Sequence, residues 1–206
     1  DRTKSRGLGD VYKRQAAALA VVHVLGPRKG KYNSDGSSNV IAGSNIPMAA
    51  LGVWILWLGW FGFNGGSELV VSNESAAIAV SQVFLNTNIA AAGGVVASLM
   101  ISQLVKGKMD ITMAMNGAIA GLVAITAAPS APSAGAALLI GAVGGIIVYF
   151  SITALDKRGI DDPVGAISAH GVVGIWGVMA VCFTGGSLFA QAAGVLAIAG
   201  FTYVAS

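Results

Sequence analysis

The chain has 206 residues, 55% of them hydrophobic and only 10% charged, with 29 glycines and a formal net charge of +3. A soluble domain carries about 25% charged residues, so this composition excludes an ordinary water-soluble fold. The whole surplus of positive charge sits in residues 1–15 (Arg2, Lys4, Arg6, Lys13 and Arg14 against Asp1 and Asp10), which excludes a nucleic-acid or acidic-substrate surface on the remainder.

Residues 1–15 read as foreign to the fold. The stretch SRGLGDVYKRQ, from Ser5 to Gln15, resembles a frame translation of a transposase adapter used in DNA sequencing libraries. The codons GAT GTG TAT AAG AGA CAG encode its last six residues. Such a segment is set aside as one sets aside a tag or fusion scar; the alternative is a natural basic juxtamembrane segment. On the first reading the natural protein begins upstream of Ala16, and residues 16–206 are a fragment of it.

From there the chain alternates long uncharged runs with short polar loops. No charge occurs between Glu74 and Lys106, between Asp110 and Asp156, or from Asp162 to Ser206. Uncharged apolar runs of about 18 residues or more are candidate membrane-spanning helices. Residues 16–25 are too short to cross and read as the end of a cut helix. Spans are expected at residues 46–65, 76–105, 111–128, 134–155 and 163–184, with a last helix starting at Leu188. Pro47 is tolerable in a first turn, and the 76–105 run is long enough to tilt or protrude.

Lys and Arg set the orientation. They occupy every second loop: Arg28, Lys29 and Lys31, then Lys106 and Lys108, then Lys157 and Arg158. The intervening loops hold Glu68 and Glu74 or no charge. This alternation assigns the basic loops to the cytoplasm and supports the number of spans. Small residues at helix-packing spacing (Gly117 and Gly121; Gly141 and Gly145; Gly171, Gly174 and Gly177) read as close-contact faces. The single Cys182 excludes a disulfide framework or a cysteine zinc site.

His170 is the residue that most invites a functional role, since an ionisable group deep in a span is costly and normally faces a cavity or a partner. The competing reading is a neutral imidazole hydrogen-bonded to a neighbouring helix. His23 lies close to the basic loop, where a satisfied or solvated histidine costs little. Trp60, Phe61 and Phe63 lie toward the outer end of their span. Position favours an interfacial aromatic belt, against a cation-attracting vestibule built from ring faces. Asp162 before Pro163 reads as a helix cap, and Asn86, Asn88 and Asn116 as interhelical hydrogen-bonding groups. With no Asp, Glu, Lys or Arg inside a span, and two histidines far apart, neither a charged relay nor a metal site is encoded.

Three segments in register, GWFGFNGGS (Gly59–Ser67), MNGAIAGLVAIT (Met115–Thr126) and IDDPVGAISAHGVVGIWG (Ile160–Gly177), closely resemble the ammonium transporter (Amt/Mep/Rh) family, Amt branch. NIPMAALG ahead of the aromatic stretch resembles it too, and the likeness covers residues 16–206. It implies an all-α transmembrane bundle, the second half of an eleven-span fold built from two inverted halves. This chain would run from the end of the fifth span into the eleventh. The resemblance further implies a multi-pass protein of the bacterial plasma (inner) membrane, a homotrimer with one pore per subunit, no cofactor, and a PII-type signal protein as partner at the missing C-terminus.

Residue by residue, Trp60 and Ser67 match positions of the family's external ammonium-recruitment site, and Phe63 matches one of two gate phenylalanines. His170 matches the second of the paired pore histidines. His23 falls too late in its span to match the first. The implied activity is passage of ammonium or ammonia through an apolar, histidine-lined pore. A sensor with little flux is the alternative within the family, and a multi-span enzyme with His170 as general base is the alternative outside it.

Overall fold

The computed structural model describes residues 6–206, with side chains described from Lys13 onward. Residues 1–5 of the segment read as foreign lie outside the described residues. The elements are α1 (Arg6–Leu25), α2 (Ile46–Gly66), α3 (Glu74–Lys106), α4 (Ile111–Ile125), α5 (Ala134–Lys157), a π-helical turn (Ile167–Val172) running into α6 (Val173–Ala180) and a 3-10 turn (Val181–Thr184), and α7 (Leu188–Val204). By length and composition α2, α3, α5 and the continuous stretch Ile167–Thr184 can each cross a membrane, while α4 and α7 are shorter apolar helices. In lipid a spanning segment must satisfy its own backbone, which is why these apolar runs are helices.

Side-chain caps set most of the helix starts. Asn45, Asn73 and Asp110 accept from the amides of Met48, Ala76 and Thr112 at 2.8–2.9 Å, and Ser133 and Ser187 cap α5 and α7 in the same way. Three boundaries differ from the sequence expectation by three residues or more. The α4 helix ends at Ile125, because Thr126 closes a tighter bond onto Val123 and proline follows at 129. The last long span begins at Ile167 and not at Pro163, since residues 163–165 form a turn ended by Gly165 at φ +71°. The α1 helix also extends back to Arg6, through residues free of the proline that would stop it.

The core is the packing of α3, α4 and α5 on one another, and it rests on missing side chains. A Cβ added at Gly121 or at Gly141 would strike the carbonyl of Ala90, one at Gly94 would strike Gly117, and one at Gly145 would strike Gly94. Backbones this close gain dispersion contacts that lipid tails cannot offer to bulkier helices. Around this core α2 buries only Trp60, Asn64 and Gly65. Its Trp54 and Leu58, like Val24 of α1 and Phe189 and Leu196 of α7, point outward at more than two-thirds exposure. Water does not stabilise such faces; lipid or further protein does.

The polar contacts bring the three basic loops to one end. Between α1 and α2, Arg28 pairs with Asp161 at 2.7 Å and Lys31 with Asp156 at 2.7 Å, at the end of α5 and just beyond it. Lys106 at the end of α3 lies 5.7 Å from the ring centroid of Tyr149 on α5. Hydrogen bonds from Arg28, against a smaller opposing effect of burial, hold the Asp161 carboxyl below the usual carboxylate range. Asp156 also accepts from Ser38 Oγ at 2.6 Å and from the Tyr32 hydroxyl at 3.3 Å. Burial, then the Asp156 charge, pushes the Tyr32 hydroxyl up to about 12, so it remains a donor.

Two outcomes are expected. Gly141→Ala should push α5 off α3 and cost about 1–3 kcal/mol, read as a lower melting temperature of the full-length protein in detergent. Gly135→Ala, with open space around its Cβ inside a helix, should not lower the melting temperature. Because the folded pKa of Asp161 is depressed, its pairing stabilises the loop above the unfolded value near 3.9 and is lost as pH falls through the folded value. A spin label at Ser34 should therefore stay immobile at neutral pH and become mobile only below about pH 4.

Candidate functional site

The site grows from the last two turns of α2. Trp60 is 8% exposed, and its indole Nε1 donates to Thr126 Oγ1 at 2.8 Å. Thr126 in turn donates to the carbonyl of Leu122 at 2.7 Å, so its one proton is committed and its oxygen faces the indole. A buried indole N–H needs such an acceptor. The bond ties α2 to the end of α4 and fixes the ring plane.

That fixed ring joins two other sequence-predicted residues. The His170 imidazole lies stacked on Trp60, with centroids 6.0 Å apart and planes at 22°. The Phe63 ring lies 5.5 Å from Trp60 at 57°. Trp60 thus bridges half-exposed Phe63, one turn outward, and His170, which reaches in from another helix. Among the described residues no hydrogen bond reaches either nitrogen of His170, and its ring neighbour is the Trp60 face.

Ser67 is not drawn into this stack. It closes α2, its hydroxyl donating to the Phe63 carbonyl at 2.8 Å and its amide to the Asn64 carbonyl at 3.2 Å. With its proton spent, the oxygen keeps acceptor capacity, which is what an N–H cation requires.

His170 sits in the π-helical turn, where one extra residue per turn loosens the backbone ladder; such turns concentrate at functional positions. Asp162 holds its start. The carboxylate accepts from the amides of Ile167 at 3.0 Å and Ser168 at 2.9 Å, across the 163–166 turn and not as the residue directly before the helix. Gly165 passes so close to Asn116 and Ile152 that a side chain there would meet both. The π-turn has no pattern in the hydrophobic periodicity, and the sequence reading missed it.

Other polar residues serve the scaffold. His23 Nδ1 meets the Tyr203 hydroxyl at 2.9 Å on an exposed face, joining α1 to α7. Asn86 donates to the carbonyls of Pro129 and Pro132, fastening the outer α4–α5 loop to α3. Asn116 donates to Thr112 within its own helix, and Asn88 is exposed, so the interhelical role expected of them falls to other residues. One is Asn64, which donates to Thr87 across α2 and α3 at 3.0 Å. Thr126 and Asn64 were missed; each is a lone polar residue at the end of an apolar motif, and that was the available signal. The Asn64 Oδ1 and Ser168 Oγ atoms are buried without a partner.

Comparison with known proteins gives this geometry a context. A model described as Ammonium Transporter Family matches residues 15–204. Ammonium transporter Amt2 of Archaeoglobus fulgidus is 48% identical over 164 residues, 80% of this chain and 34% of that protein. The ammonium transporter of Bacillus subtilis is 36% identical over 165 residues, 80% of this chain and 38% of that protein. Among solved structures, one described as a sensor Amt protein superposes with a TM-score of 0.91 at 35% identity, covering 98% of this chain and 52% of that one. Candida albicans Mep2 superposes at 0.83 with 28% identity, covering 98% of this chain and 48% of that one. The chain therefore spans about a third to a half of the length of the relatives it matches, and over that span its sequence and fold are similar to theirs: it belongs to the ammonium transporter family.

Proposed function

We propose that the protein containing this chain moves ammonium across a membrane, as ammonia plus a proton, through a pore lined by Phe63, Trp60 and His170. The observation that carries this reading is the stack of Trp60 between Phe63 and His170 in a chain of this family. Ring faces attract a cation. Ser67 offers it an acceptor at the outer end of α2. An apolar lumen then refuses the bare charge, because burying it unpaired is prohibitive, and this separates ammonium from potassium, a cation of similar size that a simple filter discriminates poorly. Neutral ammonia can pass, and imidazole, with an unperturbed pKa of about 6.5, can carry the proton left behind.

Transport is favoured over catalysis because the relatives matched over this span are described as ammonium transporters. The family supports a homotrimer and a PII-type signal protein docking beyond this chain as further parts of the proposal. The proposed location is a cell membrane with the basic loops inside. The bacterial inner membrane is one case of it, since relatives come from archaea and a eukaryote as well.

A sensor role is the second reading, and the superposition on a protein described as a sensor Amt protein is what favours it. Expression of the full-length gene in yeast lacking its own ammonium transporters separates the two. Growth on low ammonium together with an ammonium-dependent current supports conduction; protein in the membrane with neither supports the sensor. His170→Ala should abolish the current, and an undiminished, ammonium-selective current would remove the histidine relay. Thr126→Val keeps the shape but leaves the buried indole N–H unpaired, costing about 1–3 kcal/mol. It should lower both melting temperature and current, while Thr126→Ser retains both. Equal melting of Thr126→Val and wild type would remove this bond from the support of the site.

A further inference from the structure

We propose that Arg28 is a positioning residue for His170, acting from the cytoplasmic α1–α2 loop through the Asp161–Asp162 pair. The inference rests on the pore reading above and adds to it the element that holds the histidine in place. Arg28 makes three bonds to one carboxylate: its backbone amide and Nε donate to Asp161 Oδ2 at 3.0 and 2.7 Å, and its Nη2 to Oδ1 at 2.9 Å. Asp161 is only 3% exposed. A bidentate guanidinium–carboxylate pair fixes orientation as well as distance, and removing one partner strands a buried charge.

The next residue is Asp162, whose carboxylate receives the Ile167 and Ser168 amides that open the π-helical turn. The route from loop to imidazole is therefore short and bonded throughout: Arg28 to Asp161, one peptide to Asp162, then the turn that carries His170. Asn116 and Ile152 back the turn at Gly165, while Arg28 holds its entrance.

The loop is built to hold a position. Lys31, Ser38 and Tyr32 converge on Asp156 in the last turn of α5, at 2.7, 2.6 and 3.3 Å. The loop also bonds to itself, Asn39 N to the Lys31 carbonyl at 2.7 Å and Asn33 N to the Ser37 carbonyl at 2.9 Å. It is thus anchored at the end of α5 through Asp156 and within the 158–166 connection through Asp161. Arg28 follows α1 by three residues, and α1 itself packs against the π-turn. A displacement of the loop would be felt at the imidazole and at its stack with Trp60.

The test uses the full-length transporter containing this segment, with Arg28→Ala, Arg28→Lys, the exchange of Arg28→Asp with Asp161→Arg, and Lys29→Ala as control. Arg28→Ala should lower the maximal current per membrane-inserted molecule about tenfold, the order of loss a misplaced group produces. The KM for ammonium should change less than about twofold, because the outer site is untouched. Arg28→Lys and the charge exchange should recover part of the current, and Lys29→Ala all of it. The ring 15N shifts of His170 should move with Arg28→Ala and not with Lys29→Ala. Where Arg28→Ala fails to accumulate, the same quantities are read on Arg28→Lys. Unchanged His170 shifts and wild-type turnover per molecule in the Arg28 variants overturn the proposal. His170→Ala run in parallel separates the failures: an intact current there sinks the pore reading, while its loss alongside indifferent Arg28 variants sinks only the positioning role.

Discussion

Ala90 is the point at which three helices meet backbone to backbone. Its carbonyl lies where a side chain on Gly121 of α4 or on Gly141 of α5 would have to go. Such an approach excludes side chains from the seam, so α3, α4 and α5 lock at short distance without any burial of apolar surface from water. In lipid that is the available route to a specific bundle, because tails solvate an isolated apolar helix as well as a neighbour does. The position of every functional group in this chain is inherited from that seam.

Two groups lead outward from it. At the outer end, Thr126 closes α4 and gives Trp60 its acceptor, so the indole plane is set relative to the core even though α2 itself barely enters it. At the end where the basic loops gather, α5 delivers Asp156 to the α1–α2 loop, and the connection after it delivers Asp161 and Asp162. The His170 stack with Trp60 is where these two routes meet. Its geometry is consequently specified from both membrane faces, by a neutral hydrogen bond on one side and by charge on the other.

The distribution of charge follows the same logic. Carboxylates and guanidinium or ammonium groups are paired at the end where the basic loops gather, where their desolvation is partial, while the spans use hydroxyls, amides and an indole. A neutral hydrogen bond costs little to bury once it is made, whereas an ion inside the span needs a partner of its own. Asp162 shows the boundary between these regimes: its charge is spent on two backbone amides of the loosened turn rather than on a side chain.

The helical spans and the membrane class could be read from the sequence, because they follow from local quantities: uncharged run length and glycine spacing. Motif resemblance also put Trp60, Phe63, Ser67 and His170 in one family frame, and the Asp-Pro signal marked Asp162 as a cap. Tertiary structure decided which of them touch. Trp60 meets His170 and Phe63, while Ser67 turns back on its own helix. It also supplied Thr126 as the acceptor, shifted the last long span to Ile167, and put His170 on a π-turn governed by a carboxylate five residues ahead of its first amide. Periodicity cannot report these features, since they depend on contacts between residues up to 133 positions apart, as for Arg28 and Asp161. Local pattern fixes where a helix can form; only packing fixes which side chains face one another.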